Sequence, residues 1–114
     1  MRKQAIVILW GTALACGSAS DVAAERIDST RQQELVRLVR QDCGSCHGLL
    51  LKGGLGPSLL PNALRDKPLE SLRATILVGR PGTAMPPWQG ILNETEADWI
   101  LQQLLAGFPR EAAR

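Results

Sequence analysis

Two cysteines three positions apart, with a histidine directly after the second, constrain this chain more than any other feature: Cys43-Gly44-Ser45-Cys46-His47. Residues three apart share one face of a helical turn, so both thiols can add to the two vinyl groups of a single porphyrin. His47 then follows at the position from which an imidazole can ligate the iron. This is the spacing of covalent haem attachment. Three other readings of a Cys-x-x-Cys pair fit less well. A structural zinc site takes four protein ligands, and the only further cysteine is Cys16 in the N-terminal segment. A thioredoxin-like centre needs strands on either side, and no alternating apolar pattern flanks the motif. A disulfide across two intervening residues is strained and leaves the histidine unexplained.

The N-terminus bears on compartment. Arg2 and Lys3 precede an apolar run from Ala5 to about Ala15, and small residues follow as far as Val22-Ala23-Ala24. That order is the pattern of a secretory signal peptide over residues 1–24, with cleavage expected after Ala24. The run is short of the about 20 apolar residues a spanning helix needs, so no stable membrane anchor is expected. Lipidation at Cys16 is the alternative, though Ala13-Leu14-Ala15 before it is a poor lipoprotein pattern. Export fits covalent haem, which is attached on the outer side of the bacterial inner membrane, and the expected location is the periplasm.

Residues 25–114 make one domain and no more. Lys and Arg number 13 against 11 Asp and Glu, so there is no basic excess of the kind that binds nucleic acid. A monomer is expected. Helical periodicity appears in three places and strand alternation in none. Ser29 or Thr30 can cap a first helix, with Gln32 or Gln33 in a capping-box relation, and Leu35, Val36, Leu38 and Val39 form its apolar face running into Cys43. A second helix is expected over Pro68 to Val78, stopped by Gly79 and Pro81. The third starts at Asn93, with Glu96 as its capping partner, and runs to about Ala106. Trp99 flanks its apolar face and is expected to pack on the first helix. The stretch from Gly48 to Pro61 is glycine-rich and reads as a loop, yet it carries Leu49, Leu50, Leu51, Leu55, Leu59 and Leu60. Such an apolar loop needs something to cover, and a porphyrin face is the natural candidate. The expected fold is all-α, with three main helices around one covalently attached haem.

Apart from Met1, the one methionine is Met85, inside Pro81-Gly82-Thr83-Ala84-Met85-Pro86-Pro87-Trp88. Methionine is commonly a core filler. Flanking prolines, however, hold an extended loop at low entropy, and Met85 is the sole soft donor available for the sixth iron position. For His47, the usual support is a carbonyl accepting from the second ring nitrogen, and Pro57 is the candidate.

These segments resemble the class I c-type cytochromes. The likeness covers Cys43-Gly44-Ser45-Cys46-His47-Gly48, Gly56-Pro57-Ser58-Leu59, Gly82-Thr83-Ala84-Met85-Pro86 and the helix from Asn93 to Ala106. In that family the first and last helices cross at the haem edge, often through a glycine against an aromatic. Trp99 suits the aromatic role, but no glycine precedes Gly44 in the first helix. More narrowly, Gln41 to Leu59 and Ile76 to Trp88 resemble the small monohaem cytochromes found with the haem-d nitrite reductase of denitrifying bacteria. The resemblance implies a cytochrome c-like fold, one haem c and redox protein partners, either the haem-d nitrite reductase or a haem d maturation enzyme.

The function expected is therefore electron transfer with His47 and Met85 as axial ligands and no catalytic residue. The nitrite reductase system is the expected setting; one alternative is electron donation in haem d maturation, and the other is a haem protein in which Met85 leaves the iron to a small ligand. It lacks a distal acid–base group, since His47 is the single histidine.

Overall fold

The computed structural model describes residues 26–109, so the expected signal peptide and Cys16 lie outside the described residues. The first helix, α1 (Ser29–Leu38), passes into a π-helical turn (Val39–Cys43) and then into the single turn α2 (Gly44–His47). A loop leads to the short α3 (Pro61–Leu64), followed by α4 (Leu69–Val78) and α5 (Glu94–Leu105). Among the described residues there is no strand, as the all-α expectation requires, and no helix is long and apolar enough to cross a membrane.

The starts of the helices follow local chemistry. Asp28, one residue earlier than expected, is the cap of α1: its carboxylate accepts from the Arg31 N–H at 3.0 Å. The expected capping box with Gln32 or Gln33 is absent, because Gln32 turns its side-chain amide to the Ile27 carbonyl at 2.9 Å. In α5 the Asn93–Glu96 capping box forms in full, with Asn93 Oδ1 accepting from Glu96 N–H at 2.8 Å and Glu96 Oε2 from Asn93 N–H at 3.0 Å. Pro61 opens α3 at a position where its missing N–H costs nothing, a helix that the loop reading had not separated.

The core lies where the helices meet. Leu35 and Val39 from the first helical segment pack in one cluster with Ile100, Leu101 and Leu104 of α5, joined by Leu51, Leu64 and Leu92. Trp99 is half-buried and packs against this cluster, sharing a groove with Ile27 and Gln32 at the start of α1. The most extensive backbone packing of α5 is on α4, not on α1. That matches an α1 without a glycine at its crossing. α1 and α5 are joined instead by an ion pair, Arg31 Nε to Glu96 Oε1 at 2.6 Å.

The glycine-rich loop behaves in two ways. Leu51 is 2% exposed and adopts a left-handed backbone, φ 58°, to reach the core. Leu49, Leu50 and Leu55 are exposed, while Leu59 packs on the core from its edge.

Candidate functional site

The π-helical turn sits immediately before the Cys-x-x-Cys-His segment. Its signature is an amide reaching five residues back, Gly44 N–H to the Val39 carbonyl. Such turns recur at functional sites, because one extra residue per turn re-aims everything after it. Cys43 ends this turn and Cys46 lies on α2, both half-buried and both free thiols. Burial pushes the Cys43 thiol up to about 11, and Asp42 adds to the effect. Redox-active Cys-x-x-Cys centres instead need a lowered thiol, so a thioredoxin-like role is disfavoured. Zinc is disfavoured as well, since no group of three or more His, Cys, Asp or Glu among the described residues is placed to hold a metal ion.

α2 is short, and its last carbonyls would be orphaned without help. The following loop folds back to supply it. Gly53 N–H donates to the His47 carbonyl and Gly56 N–H to the Cys46 carbonyl, each at 2.8 Å. This return carries the backbone of Gly56 and Pro57 against the imidazole. His47 is 9% exposed, and its Nδ1 bonds the Pro57 carbonyl at 2.7 Å. With an acceptor there, Nδ1 carries the proton, and Nε2 is left with its lone pair and no partner among the described residues. Among the described residues no buried side-chain nitrogen or oxygen lacks a partner, so Nε2 is not sealed into the core.

Met85 comes from a different part of the chain. It is half-buried on the loop between α4 and α5, and its own backbone hydrogen bonds stay within that loop. Arg80 N–H donates to the Met85 carbonyl at 3.2 Å, and Met85 N–H to Thr83 Oγ1 at 3.3 Å. The same Thr83 hydroxyl donates to the Arg80 carbonyl at 2.7 Å. Further on, Trp88 and Gln89 N–H groups donate to the Ile76 and Leu77 carbonyls at the end of α4, at 3.0 and 3.1 Å. The loop is therefore hydrogen-bonded at both ends. Of the predicted site residues, the fold places Cys43, Cys46 and His47 on consecutive turns, puts Pro57 in contact with His47, and carries Met85 on a separate, braced loop.

The donor set fits a covalently attached haem: two unpaired thiols at the required spacing, an imidazole with only Nε2 available, and one thioether.

Two features near the site were not legible in the sequence. Arg40, on the π-helical turn, donates to the carbonyls of Phe108 and Pro109 at 3.1 and 2.8 Å and lies 5.1 Å from the Phe108 ring centroid. It ties the chain after α5 to the segment that bears Cys43. The second is Gly79, read in the sequence only as a helix stop, whose Cα lies against the backbone of Met85, Pro86 and Pro87.

Known proteins agree with the geometry. The family profile described as cytochrome C oxidase, cbb3-type, subunit III matches residues 30–102. Cytochrome c55X of Pseudomonas aeruginosa is 58% identical over 86 residues, which is 75% of this chain and 72% of that protein. The solved structure of the c-type cytochrome NirC superposes with a TM-score of 0.70 at 58% identity, covering 71% of this chain and 95% of that one. A dihydro-heme d1 dehydrogenase of Pseudomonas aeruginosa is 45% identical over 75 residues, 65% of this chain but 15% of that much longer protein. The cofactor of this chain is haem c, and the chain belongs to the c-type cytochromes, in the family matched as the cbb3-type oxidase subunit III.

Proposed function

We propose that this chain is a periplasmic electron carrier and not an enzyme, with its haem joined to Cys43 and Cys46 and its iron held by His47 and Met85. The observation that carries this reading is the 2.7 Å hydrogen bond from His47 Nδ1 to the Pro57 carbonyl, which fixes the ring and leaves Nε2 as its one available donor atom. The bound haem supplies a one-electron couple, and a thioether ligand favours its ferrous state over what two nitrogen ligands would give. The residues around it do the rest. Met85, on a loop hydrogen-bonded at both ends, would be the second iron ligand, and with His47 as the single histidine no imidazole would be left to act as acid or base on a bound substrate.

Leu49 and Leu50, 76% and 67% exposed, follow directly on α2 and provide the apolar rim for a small, transient encounter with a redox partner. The partner proposed is the haem-d nitrite reductase. Its test is stopped-flow mixing of the reduced holoprotein with the oxidised reductase, followed in the cytochrome's own visible bands. Fast, saturable oxidation is expected, and no oxidation with Met85 bound would exclude that partner.

The likeness to a dihydro-heme d1 dehydrogenase favours a second reading, in which the acceptor is an enzyme of haem d formation. The same experiment with such an enzyme separates the two. Periplasmic location is tested by cell fractionation together with the mass of the mature N-terminus, where Glu25 is expected to be the first residue.

A further inference from the structure

Gly79 closes α4 with φ 73° and ψ −170°, a backbone region open to glycine alone. It is buried, and the space a side chain would take is already filled. A Cβ placed there would lie 2.7 Å from the Met85 carbonyl oxygen, 2.8 Å from the Pro86 carbonyl carbon and 2.8 Å from the Pro87 nitrogen. All three atoms belong to backbone, so no side-chain rotation relieves the overlap. The Met85–Pro87 segment must itself move away from α4.

We infer that Gly79 is the positioning residue for Met85: by having no side chain it lets the Met85–Pro87 backbone seat on the end of α4, and this sets where the thioether is presented. The inference rests on Met85 being the axial ligand. Around the seat, backbone hydrogen bonds hold the loop on both sides. Arg80 N–H, next to Gly79, holds the Met85 carbonyl at 3.2 Å, and the carbonyls of Ile76 and Leu77 in the last turn of α4 hold Trp88 and Gln89 beyond it. A Cβ at Gly79 pushes directly on the carbonyl that Arg80 grips, so the displacement is delivered to Met85 first.

Gly82 provides the internal control. It has the same sign of φ, 79°, but a Cβ there would meet nothing within 4 Å. Gly82→Ala thus imposes left-handed backbone strain on the same loop without the collision, and Gly79→Ala imposes both.

The test uses the full holoprotein, as wild type, Gly79→Ala, Gly82→Ala, Met85→Ala and the Gly79→Ala/Met85→Ala double variant. The readouts are the far-red sulfur-to-ferric-iron charge-transfer band and the equilibrium affinity for added imidazole. The wild type must show the band, and its absence there would refute Met85 ligation itself rather than the role of Gly79. Gly79→Ala is expected to lose most of the band at neutral pH and to bind imidazole at least about tenfold more tightly, a shift of about 1.4 kcal/mol in the competition between Met85 and the added ligand. Gly82→Ala is expected to keep the band and to bind imidazole within about twofold of wild type, a difference of less than about 0.5 kcal/mol. In the Met85→Ala background, Gly79→Ala should change imidazole affinity no further. Retention of the band and of wild-type affinity by Gly79→Ala would overturn the inference, as would equal losses in Gly79→Ala and Gly82→Ala. If Gly79→Ala fails to accumulate as holoprotein alone but accumulates in the Met85→Ala background, the coupling to Met85 stands. Failure in both backgrounds would assign the glycine to folding and overturn the proposal.

Discussion

Gly56 lies so close to His47 that a Cβ on it would stand 2.7 Å from Cε1, 2.8 Å from Nδ1 and 3.2 Å from Nε2 of the imidazole. The ring is thus gripped by backbone twice over, by the Gly56 Cα and by the Pro57 carbonyl that accepts from Nδ1. Gly56→Ala must tilt the ring and lengthen that hydrogen bond. The expected cost is about 1–3 kcal/mol of stability, the range for forcing an extra methyl into a packed site. The paramagnetic spectrum of the ferric haem should shift with it. An unchanged spectrum and denaturation midpoint would show that the ring has room to spare.

The Arg31–Glu96 pair joins α1 to α5 and completes the α5 capping box in the same carboxylate. The Arg31 hydrogen bond is the main reason the Glu96 carboxyl sits below the usual carboxylate range; burial opposes it, and the Asn93 N–H reinforces it. A depressed folded-state value stabilises the fold above the unfolded pKa and is lost as pH falls through the folded one. Stability should therefore decline below about pH 4.3, the unperturbed glutamate value. Glu96→Gln should cost about 1–2 kcal/mol at pH 7 and remove this part of the acid dependence. Asp98→Asn, which breaks the more exposed Arg73–Asp98 pair, should cost less. Chemical denaturation at several pH values measures both, and equal effects would contradict the account.

Two leucines one residue apart should behave oppositely. Leu51, 2% exposed, belongs to the core, so Leu51→Ala should lose about 2–5 kcal/mol. Leu50→Asp, at a site 67% exposed, should leave stability and the visible spectrum unchanged while slowing electron transfer to the partner several-fold. Unchanged transfer rates would remove Leu50 from the docking rim.

Haem-free protein should lack native helical circular dichroism. Nine apolar residues are buried among the described residues 26–109, a small core, and the cofactor is expected to supply the remaining apolar centre. Native-like dichroism without haem would contradict this.

What the sequence disclosed was what short-range chemistry decides. The Asn93–Glu96 box, the start and end of α4 and the Cys43–His47 spacing depend on residues within four positions of one another. The cap of α1 shifted by one residue because Asp28, Ser29 and Thr30 can all cap, and nothing in their order says which does. Within the loop 48–60 no period exists to sort the leucines, so the inward turn of Leu51 and the exposure of Leu50 could not be told apart. Nothing in Val39–Cys43 announces a π-helical turn. Gly79 read correctly as a helix stop, yet its contact with Met85 is made by chain folding back and has no local signature.

Ligation of the iron by both His47 and Met85 is tested by the optical spectrum of the ferric holoprotein, compared with Met85→Ala, together with carbon monoxide binding by the ferrous form. The sulfur-to-iron band is expected in the wild type and lost in Met85→Ala, and carbon monoxide is expected to bind at neutral pH to the variant alone. A wild type without the band that binds carbon monoxide rapidly would contradict this ligation, and would make this chain a ligand-binding haem protein instead.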